Sequence, residues 1–369
     1  MTERITDLIH HAYQPPAGFG APQPGVYKAS TVFFANVAAL RSRDWRTKKG
    51  YTYGLHGTPT TFLLEERIAA LEGGTQCVLV PSGLAAIANT SLALLKTGDE
   101  VLIPHNAYGP TKALAEGELR QWGITHQLYD PLRPEDLAAR IGPATRLIWL
   151  EAPGSVTMEF VPLARLAHEG RSRGVTLALD NTWGAGLAFN GFDLRRGDAM
   201  VPGSGADIVV QALTKYPSGG GDVLMGSIVT RDATLHERLK LCHMRLGWGV
   251  GVNDVEAVLR SLPSLEIRYR AQDSAARQLA RWMAERPEIA QVLHPALPGA
   301  PGHQDWKDIC GADGLAAGLF SVIFSARHAA AAVDRFCDSL RLFKLGYSWG
   351  GPVSLVVPYD IPSMRSARL

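Results

Sequence analysis

Cysteine is scarce in this chain: there are four in 369 residues. Cys77, Cys242, Cys310 and Cys337 lie far apart with no CxxC pair, which argues against a structural zinc site and a disulfide framework and suits a reducing compartment. Neither sign of charge is in excess, since 37 basic residues against 35 acidic ones leave a net +2. With no basic tract and no interleaving of aromatic and basic residues, nucleic acid is not an expected partner. No apolar run approaches the roughly 18 residues that a membrane span requires. The N-terminal stretch MTERITDLIHHAYQPP lacks an apolar signal core, so the expected location is the cytoplasm, away from membranes. Internal repeats and low-complexity segments are also missing.

What is present describes a globular protein able to bury a sizeable core: 46% hydrophobic, 20% charged, with 38 glycines. The length suits two domains. Residues 1–55, rich in Pro, Gly and basic residues and without sustained periodicity, read as an N-terminal arm. From 56 to 240, helical patterns alternate with short apolar runs. Residues 62–71 read as a helix ended by Gly73-Gly74, 76–80 as a short apolar run, 84–95 as a helix and 100–104 as a strand. Runs at 146–150, 176–179, 207–210 and 224–229 continue the series, with a helix at 162–173. This alternation predicts an α/β domain with a mostly parallel sheet. Residues 241–369 read as a smaller C-terminal α/β domain. A mostly helical stretch over 232–285 contains the basic run Arg268-Tyr-Arg and is followed by a Pro/Gly-rich connection. A strand at 319–324, a helix at 327–340 and an apolar stretch at 354–357 complete it.

Ligands of parallel α/β sheets collect at the carboxyl ends of the strands, and four features sit at such ends. Pro81-Ser-Gly-Leu-Ala-Ala-Ile follows an apolar run and opens a helix, so the Ser82 hydroxyl and free amides could cup a phosphate; alone, an ordinary Ser N-cap explains it equally. Tyr108 follows a strand in Pro104-His-Asn-Ala-Tyr-Gly, either as a surface anchor or as a stacker on a flat ring. His105 beside it has no second metal-ligand candidate at workable spacing, so no metal is expected. Asp180 ends an apolar strand, where a carboxylate is costly without a partner; a helix cap or a protonated ring nitrogen would both serve. Lys215 leaves another apolar strand and enters the tract Ser218-Gly-Gly-Gly, and a lone lysine there ordinarily points to solvent. Taken together, cup, aromatic, carboxylate and lysine are the parts needed to hold pyridoxal 5'-phosphate. A lysine at a strand end forms a Schiff base with the aldehyde, an aspartate keeps the pyridine nitrogen protonated, and glycines let the backbone close around the cofactor.

Several segments, collinear over about residues 25–360, carry a family resemblance: Tyr53-Gly-Leu-His-Gly-Thr-Pro-Thr, Leu71-Glu-Gly-Gly, Pro81-Ser-Gly-Leu-Ala-Ala, Glu151-Ala-Pro-Gly-Ser, Asp180-Asn-Thr-Trp, Thr214-Lys-Tyr, His294-Pro-Ala-Leu-Pro-Gly and Tyr347-Ser-Trp-Gly-Gly. The chain resembles the Cys/Met-metabolism family of pyridoxal-phosphate-dependent enzymes, and within it the β-lyase branch. The resemblance implies an aspartate-aminotransferase-like (fold type I) large domain. It also implies a carbon–sulfur lyase of methionine metabolism that splits L-cystathionine by α,β-elimination into homocysteine, pyruvate and ammonia. Other reactions of the family, namely γ-elimination, γ-replacement and β-elimination from cysteine conjugates, stay open, as does a non-catalytic cofactor-binding role. Lys215 would carry the cofactor and shuttle the α-proton, with Tyr108 stacked on the ring as its catalytic companion and Asp180 on the pyridine nitrogen. Ser82, Gly83, Leu84 and Thr214 would hold the phosphate, and Tyr53 would reach the phosphate of a neighbouring subunit in a homotetramer of catalytic dimers. Tyr347, Ser348 and Trp349 would line the thioether substrate site.

Departures accompany the resemblance. Leu55 stands where the family usually has a phosphate-binding arginine, Ala212 where many relatives have serine, and Gly219-Gly-Gly-Asp where Gly-His-Ser-Asp is common. Each removes a polar contact. The family's chain also continues past Tyr-Ser-Trp-Gly-Gly into a strand whose arginine forks onto the substrate α-carboxylate. Here the sequence stops at Leu369, and Arg365 and Arg368 read as exposed and not as that fork, so the C-terminal domain is expected to be incomplete at its end.

Overall fold

The computed structural model describes residues 2–13, 15–196, 199–311 and 313–364. The N-terminal arm is more structured than its sequence suggests. Helix α1 (Thr2–Ile9) packs on a later helix through Ile5 and through Leu8, which is buried in the main core. That single apolar face is two residues wide, too short for periodicity to register beside the polar and proline-rich residues that follow. A short α2 (Val37–Arg41), capped by Asn36 accepting from the Ala39 amide, interrupts the extended arm. A 3-10 turn, Gly54–His56, leads into α3 (Pro59–Glu72). The reciprocal Thr58 and Thr61 capping box and Pro59 in the first turn start α3, and Gly73 in the left-handed region (φ +81°) ends it.

A seven-stranded sheet follows. Its members are β1 (Gln76–Val80), β2 (Glu100–Pro104), β3 (Thr125–Tyr129), β4 (Thr145–Glu151) and β5 (Thr176–Asp180). After a small ribbon, β6 (Leu194–Arg196) with β7 (Ala199–Val201), the sheet takes up β8 (Ile208–Ala212) and β9 (Gly226–Thr230), in the spatial order β1-β9-β8-β5-β4-β2-β3. Helices α4 (Gly83–Leu94), α5 (Gly109–Leu114), α6 (Pro134–Arg140) and α7 (Leu163–Arg171) connect the strands. The sheet is mostly parallel, as expected, and β9 alone runs antiparallel to its neighbours β1 and β8. Both faces are covered. Val78, Val101, Trp149 and Ile208 meet Ala86 and Ile87 of α4 on one side, and Leu79, Leu102, Leu150 and Val209 meet Leu64 and Ile68 of α3 on the other. Burial on both faces is why these strands read as continuous apolar runs. Strand β3 (Thr-His-Gln-Leu-Tyr) escapes that signal because it is an edge strand, half-exposed along most of its length. Strand β9 opens on a glycine because a Cβ at 226 would lie 2.2 Å from the carbonyl oxygen of Ser82.

The remaining chain is helical through α8 (Ala233–Leu246), α9 (Val252–Ser261) and the long α10 (Leu265–Ala284). A two-stranded antiparallel sheet pairs β10 (Ile289–Leu293) with β11 (Ser321–Phe324), separated by α11 (His303–Cys310). Then come α12 (Ala330–Ser339), a short parallel pair of β12 (Lys344–Leu345) and β13 (Leu355–Val356), and α13 (Ile361–Met364). Among the described residues no helix is long and apolar enough to cross a membrane.

Candidate active site

The central strands deliver their last residues to one edge of the sheet. Glu151 ending β4 and Asp180 ending β5 are partners in register, and Asp180 in turn pairs with Val210 of β8. Asp180 Oδ1 accepts twice from Thr182, from the hydroxyl at 2.6 Å and from the amide at 3.0 Å. The Thr182 hydroxyl oxygen also accepts from the Ala212 amide at 2.9 Å, so one threonine locks the carboxylate to the end of β8. Among the described residues Oδ2 carries no recorded hydrogen bond. Burial pushes the Asp180 carboxyl up, against the pull of Thr182 and Lys215, so the site asks for a cation at that oxygen.

Lys215 follows β8 by way of Leu213 and Thr214. The Thr214 hydroxyl donates to the Met225 carbonyl and accepts from the Met225 amide, which pins the turn. The Lys215 ammonium points inward: Nζ donates to Ser348 Oγ at 3.1 Å and lies 4.5 Å from the centre of the Trp349 ring. Burial lowers the Lys215 pKa and Asp180 pulls it back up. A partly desolvated amine of this kind is more readily unprotonated, which a nucleophile requires. The glycine tract has its own reason. Gly219 has φ +65°, and a Cβ there would lie 2.3 Å from Nη1 of Arg268, whose guanidinium donates to the Tyr216 carbonyl at 2.7 Å. Arg268, conspicuous in sequence as part of a basic run, is a strut beneath the lysine turn.

The start of α4 lies beside this turn. Ser82 is its N-cap, accepting from the Ala85 amide at 3.0 Å, so its hydroxyl proton and the amides of Gly83 and Leu84 remain to receive an anion. A Cβ on Gly83 would come within 2.6 Å of the Ala212 Cβ, so the helix terminus sits directly against the residue that precedes the lysine turn. A helix N-terminus, a carboxylate with an oxygen to spare and an inward-facing lysine match the phosphate, ring nitrogen and aldehyde of pyridoxal phosphate. The residues present fit the cofactor.

Tyr108, 41% exposed, stands at the head of α5, and burial, then Asp180 and Glu151, push its phenol pKa up. Its amide donates to Glu151 Oε2 at 2.8 Å. Tyr347, 82% exposed, faces Tyr359 at 6.3 Å between ring centres, and Tyr359 also senses Tyr108 electrostatically. Tyr53 packs edge-on to His56; among the described residues its ring contact is there, not at Lys215 or Tyr108. His56 is held by the Thr52 hydroxyl at 2.8 Å, and burial, Lys240 and Arg43 lower its pKa, so it supplies no cation at neutral pH in place of Leu55. His105 lies 3.9 Å from Asp130. Arg365 and Arg368 are outside the described residues. Sequence reasoning gave no role to Thr182, Asn106 or Glu151, which it quoted only within motifs, and none to Tyr359. A carboxylate ending an apolar strand, the signal that singled out Asp180, was available for Glu151 as well.

Comparison with known proteins gives the family and the fold. Residues 5–366 match the family model described as Cys/Met metabolism PLP-dependent enzyme. A cystathionine beta-lyase of Escherichia coli is 34% identical over 98% of this chain and 89% of its own length, and one from Haemophilus influenzae is 33% identical over the same shares. The crystal structure of MetB from Corynebacterium glutamicum superposes with a TM-score of 0.84 at 29% identity, covering 95% of this chain and 86% of that one. The chain belongs to the Cys/Met-metabolism family of pyridoxal-phosphate-dependent enzymes.

Proposed function

We propose that this protein is a pyridoxal-phosphate-dependent carbon–sulfur lyase that cleaves L-cystathionine by α,β-elimination to homocysteine, pyruvate and ammonia. The observation that carries the reading is the inward-facing Lys215, hydrogen-bonded to Ser348 and roofed by Trp349 in the neighbourhood of the half-buried Asp180. Bound pyridoxal phosphate supplies an electron sink for the pair left at the substrate Cα. The chain's own residues do the rest. Lys215 would hold the cofactor, and its Nζ, when free as the amine, would move the α-proton, a role its lowered pKa favours. Asp180, its Oδ1 fixed by Thr182, would offer Oδ2 to the ring nitrogen, and Tyr108 would stack on the ring. The Gly83 and Leu84 amides with the Ser82 hydroxyl would hold the phosphate; the Thr214 hydroxyl, whose proton goes to the Met225 carbonyl, would join them only by turning away from Met225, and Tyr53 would serve the phosphate of a neighbouring subunit in a homotetramer. Tyr347, Ser348 and Trp349 line the pocket for a thioether amino acid. In this reading residues 56–240 form the cofactor domain and 241–369 the C-terminal domain of a cytoplasmic enzyme.

Product analysis tests it. Incubation with L-cystathionine is expected to release pyruvate and homocysteine; 2-oxobutyrate and cysteine would mean γ-cleavage and overturn the assignment.

A further inference from the structure

With 41% of its surface exposed, Tyr108 is not held in place by packing. Its position has to come from its backbone, and that backbone is gripped at two points. Glu151 Oε2 accepts from the Tyr108 amide at 2.8 Å. Two residues earlier, the buried Asn106 donates through Nδ2 to Glu159 Oε1 at 2.8 Å, and the Asn106 carbonyl accepts from the Ser155 amide at 2.9 Å. Both carboxylates belong to one strap, residues 151–160, that lies against the tyrosine loop. The strap is tightly specified. Gly154 has no room for a side chain, since a Cβ would lie 2.3 Å from Asn106 Nδ2 and 2.8 Å from Glu159 Oε1. Val156 and Met158 are held at φ +69° and +58°, conformations costing on the order of 1–3 kcal/mol each and kept only where the surroundings enforce them. The strap is also tied to the C-terminal part of the chain, through the Ser321 hydroxyl donating to the Val156 carbonyl and the Phe160 amide donating to Pro301.

We propose that Glu151 is a positioning residue for Tyr108: its carboxylate fixes the amide beneath the tyrosine while Glu159, through Asn106, fixes the same loop from its other end. A charged acceptor holds an amide more firmly than a neutral one, and in this place the neighbouring strand end is already committed to Asp180. The inference rests on the reading of Tyr108 as the residue stacked on pyridoxal phosphate.

A double-mutant cycle on the holoenzyme tests it, with two readouts: kcat for cystathionine, and the circular dichroism of the bound cofactor band, which reports the asymmetry of its surroundings without turnover. Glu151→Ala should lower kcat by about 10- to 100-fold with KM nearly unchanged and alter the cofactor band, while borohydride still traps cofactor on Lys215. Glu151→Gln keeps an acceptor oxygen and should recover to within about 5-fold of the parent. On a Tyr108→Ala background, adding Glu151→Ala should cost less than about 3-fold. Equal losses in both backgrounds, or a Glu151→Gln protein as damaged as Glu151→Ala, would overturn the proposal. If Glu151→Ala does not fold, the same cycle with Glu151→Gln decides: its smaller loss must vanish when Tyr108 is alanine. A parent protein that gives no cofactor band with pyridoxal phosphate contradicts the active-site reading, whereas a normal parent band that Glu151→Ala leaves unaltered contradicts the positioning role.

Discussion

Asp180 ends a strand whose Leu177, Ala178 and Leu179 are all at most 1% exposed, and it is bonded to Thr182, which is bonded to β8. Tyr347, next in sequence to the Lys215 neighbours Ser348 and Trp349, is 82% exposed and touches one other ring. The two walls are made of different material. One is the carboxyl edge of a sheet covered on both faces, where each side chain is fixed by backbone register. The other is a rim carried by short strands near the end of the chain. A rigid wall suits groups that must meet a cofactor to within a fraction of an ångström, and a looser rim suits groups that select among substrates. The contrast predicts that substitutions on the sheet wall strike the chemistry, and those on the rim strike substrate binding.

The sharpest test is Lys215→Ala. Turnover should fall by at least about a thousandfold, since both the covalent attachment and the proton carrier are removed together. Borohydride treatment followed by peptide mapping should find no cofactor-labelled lysine. A different labelled lysine would remove Lys215 from the wall altogether.

Next in size is Asp180→Asn. An amide oxygen can accept from the ring N–H but carries no charge to keep that nitrogen protonated, and losing a desolvated charge pairing costs roughly a hundredfold or more, here in kcat. Stability should respond in the opposite sense. Because burial raises the Asp180 pKa, the carboxylate is a liability in the cofactor-free fold, and the Asn variant without cofactor should melt no lower than the parent. A variant that melts lower while keeping full kcat would make Asp180 a structural cap and nothing more.

The two walls were not equally legible in the sequence. Asp180 stood out because it ends an apolar run, and Lys215 and Tyr108 because each lies in the loop just past the carboxyl end of one, where ligands of such sheets collect. Thr182 carried no such mark, since its role depends on Ala212, thirty residues away, arriving beside it. Asn106 and Glu159 become partners only when the strap folds back over the tyrosine loop, a contact between residues 53 apart. The tract Gly219-Gly-Gly read as room for a cofactor, yet Gly219 makes room for Arg268, supplied by a helix roughly fifty residues later. Parallel sheet architecture followed from apolar runs, and β3 was invisible because an edge strand need not be apolar. Local pattern exposes residues that break a pattern; it hides those whose meaning is a distant neighbour.

A smaller effect compares the two parts of the fold through their buried imidazoles. Burial, against the opposing pull of Glu65 and helped by Lys48 and Lys240, pushes His236 on α8 down to about 4; burial with Arg277 and Arg281 does the same to His294 after β10. An ordinary histidine takes its proton near 6.5. As pH falls from 6.5 toward 4 the unfolded chain therefore binds protons that the folded chain refuses, and stability drops by up to about tenfold in the unfolding equilibrium per pH unit for each histidine. The loss levels off below about 4, and above 6.5 neither contributes. Denaturant melts of the holoenzyme from pH 7.5 to 4 should show this fall, and His236→Gln and His294→Gln should each flatten it. If only one of the two does, the other imidazole is not shielded as its burial implies.

The smallest expected change is at the rim, in Tyr347→Ala. The side chain is mostly in water, makes a single edge-on contact with Tyr359, and has no recorded hydrogen bond among the described residues. Truncating such a residue shifts folding stability by no more than about 0.5 kcal/mol. Its effect on catalysis should also be one of binding. An exposed ring that closes over a substrate contributes similarly to the ground state and the transition state, so its loss should raise KM by about 2- to 10-fold and leave kcat within about 2-fold. The cofactor band should not move, because Lys215, Thr182 and Asp180 are untouched. Trp349, two residues on, belongs with the reacting wall instead: it packs against the core and lies over the Lys215 ammonium, so Trp349→Ala should disturb both the band and kcat. Steady-state kinetics on cystathionine and a second thioether amino acid, with the cofactor spectrum recorded on the same samples, separates the two. A Tyr347→Ala protein with normal KM and a tenfold lower kcat would put the rim inside the chemistry, and the division between a reacting wall and a selecting wall would fail.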